Sequence, residues 1–169
     1  VQASTSINYE DNAAVATGQD GDIVNAWVQG YTNSYGHWVW EIHYAIRDYN
    51  GTVIKGETTL TDNSGATPAV LDYNPVAAVA PNGNIVVAWT HEDSSNDSRN
   101  PYYAVLDGNG NLLRGPTALT ENISSSIRDY DPTVAATSDG RFIVTWEHYD
   151  SSEGICDVYY AVLDSSGQI

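Results

Sequence analysis

Two short stretches place an imidazole and a carboxylate at one spacing: HEDSS, from His91 to Ser95, and HYDSS, from His148 to Ser152. Residues two apart on a strand share a face. His91 with Asp93, and His148 with Asp150, therefore suit a metal ligand pair. The same Asp-Ser-Ser run also suits plain turn capping, and a third related stretch carries Gln29 in the His place. Acidic clusters recur as NYEDN, LDYNP and RDYDP. In the last of these, Asp129 and Asp131 with backbone carbonyls offer the oxygen-rich shell that Ca2+ takes. DGNGN presents Asp107 and Asn109, followed by Asn111, as half of a calcium loop without its bidentate Glu. No other cofactor is implied.

One aromatic cluster, YGHWVWEIHY, is not repeated elsewhere. Strand alternation puts Trp38, Trp40, Ile42 and Tyr44 on one face, with His37, Glu41 and His43 on the other. Trp38 and Trp40 are thus candidates for stacking on sugar rings, against the alternative of core or interface aromatics. Three N-x-S/T sequons, at Asn50, Asn96 and Asn122, fall in expected turns where a glycan is carried. Cys156 is the single cysteine, so the chain forms no internal disulfide. No Ser-His-Asp set, phosphate loop or isolated carboxylate pair stands out, and the sequence reads as non-enzymatic.

Composition narrows the partners. Asp and Glu number 22 against 6 Lys and Arg, a formal net charge of −16. Such a field repels nucleic-acid phosphates and anionic membrane surfaces, and no apolar run is long enough to span a bilayer. A 41% hydrophobic content suffices for a core, and 12 Tyr and 5 Trp against 1 Phe favour strands and amphipathic faces. The sequence starts at Val1 and contains no Met, as in a processed or excerpted polypeptide. With the sequons, this points to an extracellular or cell-surface protein.

The elements that must position these residues come from a repeat. Asp20-Gly21, Asn82-Gly83 and Asp139-Gly140 mark tight hairpin turns. Trp27, Trp89 and Trp146 each follow the Gly by six residues, and Tyr44-Ala45, Tyr103-Ala104 and Tyr160-Ala161 complete each set. PTVAAT and RFIVTW read as the first hairpin of a repeat, EHYDSSEGIC as a polar loop, and DVYYAVLD as a third strand. TVIKGETTLT and NLLRGPTALT read as fourth strands. IVVAW and VYYAVL are apolar on both faces, which predicts sheets covered on both sides. The expected fold is all-β: three four-stranded antiparallel, propeller-blade-like repeats at 8–61, 62–120 and 121–169. The third repeat lacks a fourth strand, and VQASTSI, residues 1–7, is expected to complete it, from its own or a neighbouring chain.

Phrases such as PTVAATSDGRFIVTW followed by VYYAVLDSSG resemble the propeller-type repeats of large secreted bacterial and archaeal surface proteins. The resemblance covers nearly the whole chain and implies architecture rather than chemistry. SDGRFIVTW also resembles the sialidase Asp-box, but the match fails at its spacing, and a sialidase-like site needs an arginine cluster that five Arg do not supply. Unpaired sheet edges invite strand addition. The matching ends therefore predict a homo-oligomer: a structural protein that self-assembles, head to tail, into a filament, tube or ring. The other readings are a piece of a longer array, and a lectin-like propeller, formed by oligomerisation, that binds glycans through Trp38 and Trp40.

Overall fold

The computed structural model describes residues 8–169, of which none is helical. VQASTSI, the expected completing strand, lies outside the described residues. Eleven strands form one curled sheet. They are β1 (Tyr9–Thr17), β2 (Ile23–Thr32), β3 (Trp38–Arg47), β4 (Val53–Thr59), β5 (Val70–Val79), β6 (Ile85–Asp93), β7 (Ser98–Leu106), β8 (Leu112–Ala118), β9 (Ile127–Ala136), β10 (Phe142–Asp150) and β11 (Ile155–Leu163). Neighbours from β1 to β4, from β5 to β8 and from β9 to β11 pair antiparallel. Successive runs join through single parallel bridges, Trp40 with Leu71 and Arg99 with Arg128.

The turns explain where each run folds back. Between β7 and β8, Asp107 Oδ1 accepts the amides of Asn109 and Asn111 at 2.9 and 2.8 Å, an Asx-type turn. The Asn111 amide holds the Asp107 carboxyl below the usual carboxylate range. Gly110 closes the turn at φ 77°, where a side chain is strained. A Cβ there would also stand 2.9 Å from Lys55 Cγ on β4, so the turn is seated on the preceding run. The same turn after β11 puts Gly167 against Arg114.

The apolar core lies between runs. Val24, Val28, Ile42 and Ile46 pack with Val87 and Trp89, while Val86, Tyr103 and Val105 pack with Phe142, Val144 and Leu163. β6 thus buries both its faces, as IVVAW predicts. The third copy of the double-sided pattern departs from expectation. Val158, Tyr159 and Tyr160 on β11 are exposed, because among the described residues β11 pairs with β10 alone and nothing packs over its far face. The expected loop EHYDSSEGIC is also mostly strand. The β10–β11 ladder runs on through His148–Asp157 and Tyr149–Cys156 to Asp150–Ile155, leaving only Ser151–Gly154 as turn.

Candidate functional site

The first strand of each run carries a bulge, and the three bulges converge. Pairing breaks between Asp11 and Ala14 on β1, between Tyr73 and Val76 on β5, and opposite the Thr145–Glu147 break on β9. The residue pushed out is Asn12, Asn74 or Asp131, at φ 48°, 52° and 51°. Asn and Asp enter this left-handed region more readily than other side chains, which explains the residue types at 62- and 57-residue spacing. Together the bulges line one open cavity of about 340 Å³, with Pro75, Pro132 and Thr133 beside them.

The cavity is polar at its rim. Asn74 Nδ2 donates to Asp131 Oδ1 at 2.6 Å, and the Asp131 amide donates to Thr90 Oγ1 at 3.0 Å. Asp131 is exposed and is the one carboxylate among the lining residues. Beside Asn12, the Asp11 carboxylate accepts the Asn12 amide at 2.8 Å and the Tyr9 hydroxyl at 2.9 Å. That bond to Asp11 raises the Tyr9 phenol pKa. Tyr9 stands about 10 Å along β1 from Asn12 and lies against Trp38, ring centres 6.4 Å apart. Trp38 is 47% exposed. Trp40 is half-buried and meets Tyr73 edge-on. Both indoles crowd Gly30, where a Cβ would stand 2.9 Å from Trp40 Cδ1. Burial, with the neighbouring Glu92 carboxylate, pushes the Tyr73 phenol up.

The two His residues singled out by sequence pair elsewhere than expected. His91 Nδ1 bonds Asp72 Oδ1 at 2.7 Å, and His148 Nδ1 bonds Asp129 Oδ1 at 2.6 Å. Each partner lies 19 residues upstream on the adjacent strand and is 1% exposed. The other oxygen of each Asp accepts a side-chain amide from the preceding loop, Asn63 and Asn122, both at 2.7 Å. Each His stacks on a tyrosine, His91 on Tyr102 and His148 on Tyr159. These clasps tie the loop of one run to the first two strands of the next. The first clasp opens on a cavity of about 210 Å³ between Thr61–Asn63 and Pro116.

The six oxygen ligands considered for a metal do not come together. Asp129 has both oxygens engaged in its clasp, whereas Asp131 faces the axial cavity. Asp93, Asp107 and Asp150 cap three separate turns through the amides of Ser95, Asn109 and Ser152. Asn109 donates its amide within the Asp107 turn. Among the described residues, no group of three or more His, Cys, Asp or Glu is placed to hold a metal ion. Of the sequon residues, Asn50 and Asn96 are exposed in turns, while the Asn122 amide nitrogen is committed to Asp129. The axial cavity escapes sequence reasoning because its residues belong to three strands far apart in the chain. The recurring Asn or Asp before Ala13, Pro75 and Pro132 is the signal that marks it.

No family model matches the sequence, and no curated protein matches it. Solved structures do match. An endo-arabinase from Bacteroides thetaiotaomicron superposes with a TM-score of 0.57 at 12% identity, covering 99% of this chain and 61% of that one. Native Bacillus subtilis arabinanase Arb43A gives 0.54 at 17% identity, over 96% and 57%. Polysaccharide lyase Uly1 gives 0.62 at 11%, over 92% and 38%. The chain thus spans less than two thirds of each neighbour's length. The likeness establishes an all-β, propeller-like fold. It also corrects the expectation of a non-enzymatic structural protein self-assembling into a filament, tube or ring. This frame is one that glycan-cleaving enzymes use.

Proposed function

We propose that this chain is part of a carbohydrate-active enzyme of the extracellular space, with its three strand runs acting as propeller blades and a sugar held in the axial cavity. The observation that carries the reading is the convergence of Asn12, Asn74 and Asp131 on one open cavity. Amide and carboxylate side chains at such a rim hydrogen-bond sugar hydroxyls, and the exposed Tyr9–Trp38 pair supplies a stacking surface beside it. The net charge of −16 disfavours polyanionic glycans, so the substrate class is a neutral polysaccharide. Arabinan is the first to test, because two of the neighbours are arabinan-cleaving enzymes by name.

Glycoside hydrolysis uses two carboxylates, one giving a proton to the leaving oxygen and one activating water or attacking the sugar. Asp131 is assigned one of these roles. Its Asn74 bond orients the carboxylate while leaving the second oxygen to the cavity. The second carboxylate is not among the residues that line the cavity. Reducing-sugar release from a panel of neutral polysaccharides tests the reading. Asp131→Asn is expected to lower turnover by about 10²- to 10⁴-fold, the usual worth of a positioned acid or base, with the fold unchanged by circular dichroism. Full activity of the Asn variant, or no cleavage of any panel member by the native chain, overturns it.

A further inference from the structure

The cavity beside the first clasp joins the first strand run to the second. Thr61 and Asp62, in the loop after β4, share its lining with Asp72 on β5, His91 on β6 and Tyr102 on β7. None of its residues lines the axial cavity. Its volume of about 210 Å³ lies below the roughly 300–1,000 Å³ of pockets for drug-sized ligands, and suits a single small ring.

Two acceptors in this lining are unspent. Asp72 takes three donors: the Trp89 indole at 3.0 Å, the Asn63 side-chain amide at 2.7 Å and His91 Nδ1 at 2.7 Å. A carboxylate so engaged fixes the tautomer of the neutral His91 ring, with the proton on Nδ1 and a lone pair on Nε2. That lone pair has no partner among the described residues. Asp62 Oδ1 accepts the Ser64 amide at 3.0 Å and the Ser64 hydroxyl at 2.6 Å, while Oδ2 has no partner among the described residues. The Ser64 hydroxyl leads in holding the Asp62 carboxyl below the usual carboxylate range, so Asp62 only accepts.

Two hydroxyls supply matching donors. Thr61 is 6% exposed; its oxygen accepts the Ile42 amide at 2.9 Å, and its proton has no acceptor among the described residues. At the second clasp the corresponding Thr120 spends that proton on Asn100 Oδ1 at 2.9 Å. Burial, then the Asp72, Glu121 and Asp93 carboxylates, push the Tyr102 phenol up, so it stays a donor. No Lys or Arg lines the cavity. An ammonium group only donates and would leave both hydroxyl protons unmatched. A carboxylate or phosphate only accepts and would meet Asp62 and Asp72 at like charge. Adjacent hydroxyls both donate and accept. We propose that this cavity is a second glycan-binding site, which takes one ring of a neutral sugar through a vicinal diol, with His91 Nε2 and Asp62 accepting and Tyr102 and Thr61 donating. The axial cavity contributes no residue to it, so the site stands apart from the cleavage reading.

NMR titration of the native chain with millimolar L-arabinose, D-xylose and D-galactose tests the site. Shifts at Thr61, Asp62, His91 and Tyr102 are expected with at least one of these sugars, and none with glucuronate or ethylammonium. Tyr102→Phe removes a hydroxyl that bonds nothing among the described residues, so the melting temperature should hold. Its sugar affinity should fall about 2- to 10-fold, the worth of one neutral hydrogen bond. Absence of shifts with all three sugars overturns the site, as do shifts confined to Asn12, Asn74 and Asp131, which would report the axial cavity alone. An equal response to glucuronate or ethylammonium overturns the diol, and unchanged affinity in Tyr102→Phe overturns the phenol's part in holding it.

Discussion

The second and third strand runs carry closely similar phrases and meet different surroundings. In the second, Trp89 is fully buried and its indole donates to Asp72 at 3.0 Å. In the third, Trp146 is 6% exposed and its indole nitrogen has no hydrogen-bond partner. Tyr103 is sealed against the following turn, and Tyr160 stands in solvent. The lesson is that burial in this architecture belongs to the neighbour as much as to the strand. The second run bonds both its indole and its tyrosine hydroxyl; the third keeps its His148–Asp129 clasp while its indole nitrogen has no partner.

The contrast predicts paired mutational effects. Trp89→Ala is expected to cost about 3–5 kcal/mol, the usual range for emptying a large core site. Trp146→Ala should cost about 1–2 kcal/mol less, since it severs no indole bond. Urea unfolding of both variants measures the gap, and equal losses would break the comparison. Asp72→Ala strands three donors, on His91, Trp89 and Asn63, and Asp129→Ala strands two, on His148 and Asn122. Losses of about 3–5 kcal/mol are expected, larger at Asp72, read from the same unfolding curves. Tyr103→Phe removes one buried hydrogen bond, about 1 kcal/mol. Tyr160→Phe should leave the melting temperature unchanged.

The smallest effect separates the runs by acid. The β5–β6 turn is capped by neutral Asn82, whose side chain accepts the Asn84 amide. In the β9–β10 turn Asp139 bonds Arg141 and Thr137, and the Arg141 hydrogen bond leads in holding its carboxyl down at about 2, from 3.8. A depressed carboxyl contributes its stability above the unfolded value and loses it as pH falls through the folded one. The β9–β10 turn should therefore loosen between about pH 4 and pH 2, while the β5–β6 turn does not respond. Carboxyl titration by NMR checks this, and an Asp139 midpoint near 3.8 would count against it. Asp139 is fully exposed, so only the titration itself should be visible, without a change in global stability.

Sequence patterning made the strands readable because hairpin turns are local. In Asp20-Gly21, Asn82-Gly83 and Asp139-Gly140 the glycine takes positive φ, a demand set within each turn itself. The clasps were not readable, since the Asp that holds His91 sits 19 residues away across a ladder whose register depends on a bulge. A His and Asp two apart on a strand look like a pair only until the neighbouring strand is in place. The axial cavity was hidden for the same reason on a larger scale: Asn12, Asn74 and Asp131 meet only when three runs curl about one line. The exposure of Val158, Tyr159 and Tyr160 is not written in their types, which match those of the buried copies.

The hydroxyls of Tyr44 and Tyr103 both end on a glycine carbonyl, an atom that every amino acid carries. A joint made to main chain places little demand on which side chains stand across it. Substitutions can accumulate in the facing turn while the joint survives, provided the turn keeps its path. Such joints give the frame a tolerance of drift, and they offer a physical route by which one architecture persists between chains that agree at only 11–17% of positions.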